Sequence, residues 1–147
     1  MVIFKWGETF YDEIMSKGKL VINEDDILEA FIKSNTLKGR FYKKVRIGKT
    51  DLYCDATGRM SQRSGRIIID AICKENDVVR IIEVEKQLTY TAIGQAIVYA
   101  HLYGKENPNS TPIPTIVCFL ADEDFLEACE KYAIDVYFCG YGYIPGW

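Results

Sequence analysis

Apolar and polar positions follow two different periods along this chain of 147 residues. Two β-branched runs, Ile67-Ile-Ile-Asp-Ala-Ile-Cys73 and Val78-Val-Arg-Ile-Ile-Glu-Val84, flank the polar stretch Lys74-Glu75-Asn76-Asp77 and predict a β-hairpin. Shorter apolar runs at 115–120 and 134–139 predict buried strands, and residues 1–6 a short one. Helical spacing predicts four helices: 8–17, one opening at Asn23 with acids in its first turn and running to about 35, one capped by Thr89 or Thr91 and stopped by Gly104, and 122–133. A basic strand or hairpin is expected at 41–56, a polar loop at 57–65 and a turn-rich loop at 107–114. Strands apolar on both faces require cover on both sides, and alternation of strands with helices implies parallel pairing in the second half. The expected class is therefore α/β, a single domain with a central mixed β-sheet flanked by helices.

The acids in the hairpin do not fit that apolar background. An even-length loop that sets Cys73 against Val78 puts Asp70 opposite Ile81. Asp70, Glu83 and Glu85 then share one face, with Asp70 and Glu83 diagonal neighbours roughly 7–8 Å apart at their backbones. Carboxylates buried in apolar strands are costly unless paired or metal-bound. Three on one face point to a hard divalent cation.

Composition leaves room for such a site without requiring it. Apolar residues make up 48% and charged residues 27%, as in ordinary globular proteins. No run approaches the ~20 apolar residues of a membrane span, and no secretory leader is evident, so no membrane partner and a cytoplasmic location are expected. The five cysteines are scattered among apolar neighbours without CxxC spacing and read as reduced core thiols. The formal charge of −3 conceals an asymmetry: from Lys33 to Arg66, ten basic residues stand against Asp51 and Asp55, a local +8 that leaves −11 for the remainder. A basic segment on an acidic chain suggests a surface for a polyanion, although lysines on a strand edge also deter aggregation.

An N-terminal helix with an acid, an Asp-bearing strand, a Glu-bearing strand and then a helix carrying Gln95-Ala-Ile-Val-Tyr99 resembles the core of the PD-(D/E)xK nuclease superfamily. The resemblance spans roughly residues 23–139. Asp70 matches the family aspartate and Glu83 its second acid, while Gln95 and Tyr99 match the Q-x-x-x-Y motif of RecB- and Cas4-like members. The arrangement is also similar to archaeal Holliday junction resolvases. Glu24 is the candidate for the family's N-terminal glutamate, with Glu29 second. One departure matters. The family lysine belongs two residues after the second acid, where this chain has Glu85; Lys86 comes one later and alternation points it to the other face. Glu85 in the lysine's place, a β-bulge that swings Lys86 inward, and lost catalysis are the three explanations, the first needing no irregularity.

The resemblance implies a restriction-endonuclease-like αβββαβ core and Mg²⁺- or Mn²⁺-dependent hydrolysis of DNA phosphodiester bonds. Asp70, Glu83 and the Val84 carbonyl would hold the metal, and Glu85 or Lys86 would activate water. Glu24 would hold it through water or bind a second cation. Gln95 and Tyr99 would steady the acids or a phosphate. Lys43, Lys44, Arg46, Arg59, Arg63 and Arg66 would grip the nucleic acid backbone. A homodimer is the simplest way to cut both strands. Two readings from other classes stand beside this one. The first is an inactive nucleic-acid-binding module of the same fold. The second is an interaction protein that docks through Tyr141, Tyr143, Ile144 and Trp147.

Overall fold

A computed structural model describes residues 1–18, 21–48, 51–54, 56–63 and 67–147, with the backbone alone at 51–53 and 61–63. The elements are β1 (Ile3–Lys5), α1 (Glu8–Ser16), α2 (Glu24–Lys33), β2 (Arg40–Ile47), β3 (Asp51–Cys54), β4 (Met60–Arg63), β5 (Ile67–Glu75), β6 (Val78–Gln87), α3 (Tyr90–Glu106), β7 (Pro112–Ala121), α4 (Glu123–Lys131) and β8 (Asp135–Tyr141). The fold is α/β. Its main sheet has six strands in the order β1-β8-β7-β6-β5-β2, and β3 pairs with β4 in a separate ribbon. Pairing is parallel from β1 through β6 and antiparallel at β6-β5-β2, so the sheet is mixed as expected.

Local chemistry accounts for the helix starts. Asn23 accepts a hydrogen bond from the Asp26 N–H at 2.8 Å, Thr89 caps α3 through the Ala92 N–H, and Asp122 caps α4 through the Asp124 N–H. Three expectations need correction. Helix α3 runs past Gly104 to Glu106, and β7 begins at Pro112 inside the expected loop. Residues 60–63, expected in a loop, form β4.

Two layers of side chains cover the sheet. On one side Ile27, Leu28 and Phe31 of α2 pack with Ala71, Cys73, Ile82, Val84, Phe119 and Tyr137. On the other, Ala92 and Ala96 of α3 pack with Ile116, Cys118 and Val136, and Ala100 and Tyr103 pack with Ile72, Val79 and Ile81. Cys73, Cys118, Cys129 and Cys139 are buried free thiols, as expected, whereas Cys54 is exposed. Gly140 lets the Tyr11 ring lie against the β8 backbone, and a Cβ there would overlap that ring. Gly140→Ala is therefore expected to lose about 1–3 kcal/mol in chemical denaturation.

The hairpin register is two residues away from the expected one. Glu75 faces Val78 and Ala71 faces Ile82, which leaves only Asn76-Asp77 as the loop. Asn76 takes the left-handed φ of 53° that so tight a reversal uses. A two-residue shift preserves the faces, so Asp70 and Glu83 now stand directly across from each other, beyond the last ladder pair.

Candidate active site

The acids meet where the strands part. Between β2 and β5 the ladder pairs Lys43 with Ala71 and Val45 with Ile69, and lapses at Lys44 and Asp70. Lys44 has φ 53°, left-handed for a residue with a long side chain. Packing changes sides across this break: Ala71 and Cys73 pack with α2, whereas Ile67 and Ile69 pack with the residues around α3. The Asp70 carboxylate reaches both neighbouring strands. Its Oδ2 accepts the Val84 N–H at 2.9 Å, and its Oδ1 lies 3.5 Å from Lys44 Nζ. The backbone of Val84, expected as a carbonyl ligand, thus meets Asp70 through its N–H.

Glu83 is only 4% exposed, and its Oε1 is buried with no hydrogen-bond partner. Burial, then the charges of Asp70 and Glu85, push its carboxyl up to about 8. It accepts the Asp70 backbone N–H, which lowers it, and hydrogen-bonds the Asp70 side chain, which raises it. Glu85 is pushed to about 7 by burial and by the charges of Glu24 and Asp70, and it hydrogen-bonds Glu24. Glu24, the first residue of α2, is raised by burial and by Asp70, while the Glu85 hydrogen bond, Lys44 and Lys86 pull it down. The four carboxyl groups therefore form two hydrogen-bonded pairs, and the charge of Asp70 acts on the other three.

The remaining expected residues divide. The Tyr99 hydroxyl feels Glu83 and Asp70, which together with burial raise it. Gln95 sits one helical turn earlier on α3, half-buried. Lys86 stays at the margin, where its charge acts on Glu24. The β6–β7 register keeps one offset from Glu83↔Ile116 to Gln87↔Leu120, with Lys86 itself unpaired in the ladder, so no inserted residue swings it inward, and its Nζ lies 5.9 Å from the centre of the Trp147 ring. Lys43 and Arg46 are exposed on β2, the outer strand of the sheet, and Arg59 is exposed just before β4. The Arg63 side chain and Arg66 fall outside the described residues. Lys44, expected among the backbone-gripping cations, is instead a neighbour of the acids, and it also lies 3.9 Å from Asp25. Sequence reasoning missed that placement and also missed Gln87. The buried Gln87 amide donates to the Ile144 carbonyl at 2.9 Å and accepts its N–H at 2.8 Å, holding the C-terminal tail beside Lys86.

As placed, no group of three or more His, Cys, Asp or Glu among the described residues is arranged to hold a metal ion. The donor chemistry nonetheless suits a hard cation, because every member is a carboxylate and one buried oxygen lacks any partner. No helix among the described residues is long and apolar enough to cross a membrane. Comparisons of the chain with protein-family models, with curated proteins and with solved structures gave no match.

Proposed function

We propose that this protein is a metal-dependent nuclease that hydrolyses DNA phosphodiester bonds at the Asp70–Glu83–Glu85 site. One observation carries the reading: a buried, partnerless Glu83 oxygen beside Asp70, across from a left-handed Lys44 at which the β2–β5 ladder lapses. Such an arrangement leaves a carboxylate oxygen unsatisfied in the resting protein, a cost that binding sites carry. The chain order α2-β2-β5-β6-α3-β7 around the acids supports the resemblance to PD-(D/E)xK nucleases.

Asp70 and Glu83 would hold Mg²⁺ or Mn²⁺, with Glu24 close enough to join through water. Metal binding would favour the ionised forms of Glu83 and Glu85, which burial opposes in the metal-free protein. The bound ion would supply charge neutralisation at the phosphate and a more acidic water. Glu85, near neutral in its proton affinity, suits the base that takes the water's proton. Tyr99 steadies the pair formed by Asp70 and Glu83, and the exposed Lys43, Arg46 and Arg59 draw in the polyanion.

Incubation with plasmid, single-stranded and branched DNA, with Mg²⁺ or Mn²⁺ against EDTA, tests the reading. Metal-dependent cleavage that falls by about 10³-fold or more in Asp70→Ala and Glu83→Ala is the expected result. Absence of cleavage by the wild-type protein sinks it. One observation favours the second reading, an inactive DNA-binding module: Lys86 lies over the Trp147 ring and acts on Glu24 rather than on Asp70 or Glu83. Salt-sensitive DNA binding without cleavage would establish that alternative.

A further inference from the structure

A phosphodiester site built from carboxylates needs a fixed positive charge to offset what builds on the phosphate. Neither position after Glu83 sets one beside Asp70 or Glu83. Glu85 is acidic, and Lys86, whose charge reaches Glu24, lies over the Trp147 ring on the α2 side of the sheet. Lys44 is differently placed. It stands directly across β2–β5 from Asp70, with its Nζ 3.5 Å from Oδ1, and its side chain is 58% exposed and so open to an incoming phosphate. Glu83, whose buried Oε1 lacks a partner, interacts with the same Asp70.

The backbone makes the same point. Lysine has a Cβ and is disfavoured at a φ of 53°, yet the chain adopts it in the middle of a strand. Extended φ would return Lys44 to the ladder and close the gap at Asp70. Strain of this kind survives where the surroundings impose it, and an observed outlier beside a candidate site is a reason to suspect function.

We propose that Lys44 is the catalytic lysine of this site, delivered from β2 rather than from the strand that carries the second acid. The inference rests on the nuclease reading and deepens it. With no cation bound, the ammonium pairs with Asp70. Were Asp70 to hold the metal, the ammonium would be released toward a non-bridging oxygen of the scissile phosphate. A bond forms from the water oxygen to phosphorus while the phosphorus–oxygen bond to the leaving strand breaks. The water's proton passes to Glu85, and the leaving oxygen takes one from solvent. Lys44 keeps its own protons throughout and acts by charge alone.

Steady-state cleavage by Lys44→Met, Lys44→Arg, Lys44→Gly and Lys131→Met tests this. Lys44→Met is expected to lose about 100-fold or more in kcat with KM changed less than about threefold. Arginine should recover at least about tenfold of that loss, because it restores the charge. Lys131→Met, which removes an exposed lysine of α4 outside the site, should keep both kcat and KM within about twofold. Lys44→Gly should lose kcat equally while melting no lower than wild type, since glycine tolerates this φ. A Lys44→Met enzyme that keeps kcat within about threefold, or changes KM alone, overturns the assignment while leaving the nuclease reading intact. A wild-type protein that cleaves nothing overturns both.

Discussion

Replacing Glu83 by glutamine is expected to stabilise the metal-free protein at pH 8, by about 3 kcal/mol, while abolishing cleavage. The carboxyl titrates at the usual 4.5 in the unfolded chain and at about 8 in the fold, because burial and the charge of Asp70 oppose its ionisation. A raised carboxyl stabilises fully below its unfolded value, and that stability disappears as the pH climbs through the folded one. Each pH unit in that window removes about 1.4 kcal/mol. Glu83 titrates among neighbouring acids, so about 3 kcal/mol rather than the full span is assigned to it. The wild-type melting temperature in EDTA should thus fall between about pH 5 and pH 8, and Glu83→Gln should flatten that fall. At pH 8 the variant should melt about 9 °C higher. Added Mg²⁺ should raise the wild type and leave the variant unmoved. Parallel pH curves for the two proteins would show that Glu83 does not carry this burden.

Asp135→Ala should cost about 3–5 kcal/mol in urea or thermal unfolding. Asp135 is 2% exposed; its Oδ1 accepts the Val2 N–H at 2.8 Å, and its Oδ2 lies 3.6 Å from Arg80 Nε. The pair spans β7, tying β6 to β8, and the same carboxylate anchors the chain leading into β1. Removing it leaves the guanidinium in a largely buried position beside the Tyr137 hydroxyl and the Cys73 thiol. It also takes the partner from a backbone N–H. Asp135→Asn should cost less, because an amide oxygen can still accept from Val2. A loss below about 1 kcal/mol for the alanine variant would mean that water replaces the carboxylate at little cost.

The hydrophobic pattern made the sheet legible, and it placed the carboxylates together despite an error in register. The expected turn used four polar residues, but Lys74 and Glu75 are carried into β5 because the left-handed Asn76 closes the reversal alone. Composition argues against strand at Lys74 and Glu75, whereas a continuing ladder supplies hydrogen bonds that composition does not reveal. The error was even, so side chains kept their faces. Pro112 and Pro114 hid the start of β7 for the same reason. Gly104 misled because it sits inside α3 against Pro112, where a small residue admits close packing rather than ending the helix. Lys44 was beyond reach. Phe41, Val45 and Ile47 read as one regular strand face, and nothing local announces that the chain reverses sides between them. The Arg80–Asp135 and Gln87–Ile144 contacts join residues 55 and 57 positions apart, pairings that only the assembled fold can select.

The break at Lys44 also bears on how molecules of this protein meet one another. Strand β2 borders the sheet, a place where a foreign strand could otherwise add itself. A left-handed residue at mid-length prevents the border from offering an uninterrupted row of donors and acceptors, and Arg40, Lys43 and Arg46 repel a second copy of the same border. A slipped pairing with β5 would have to absorb that contortion at a new position. The distortion that opens a place for Asp70 thus doubles as a safeguard against self-adhesion.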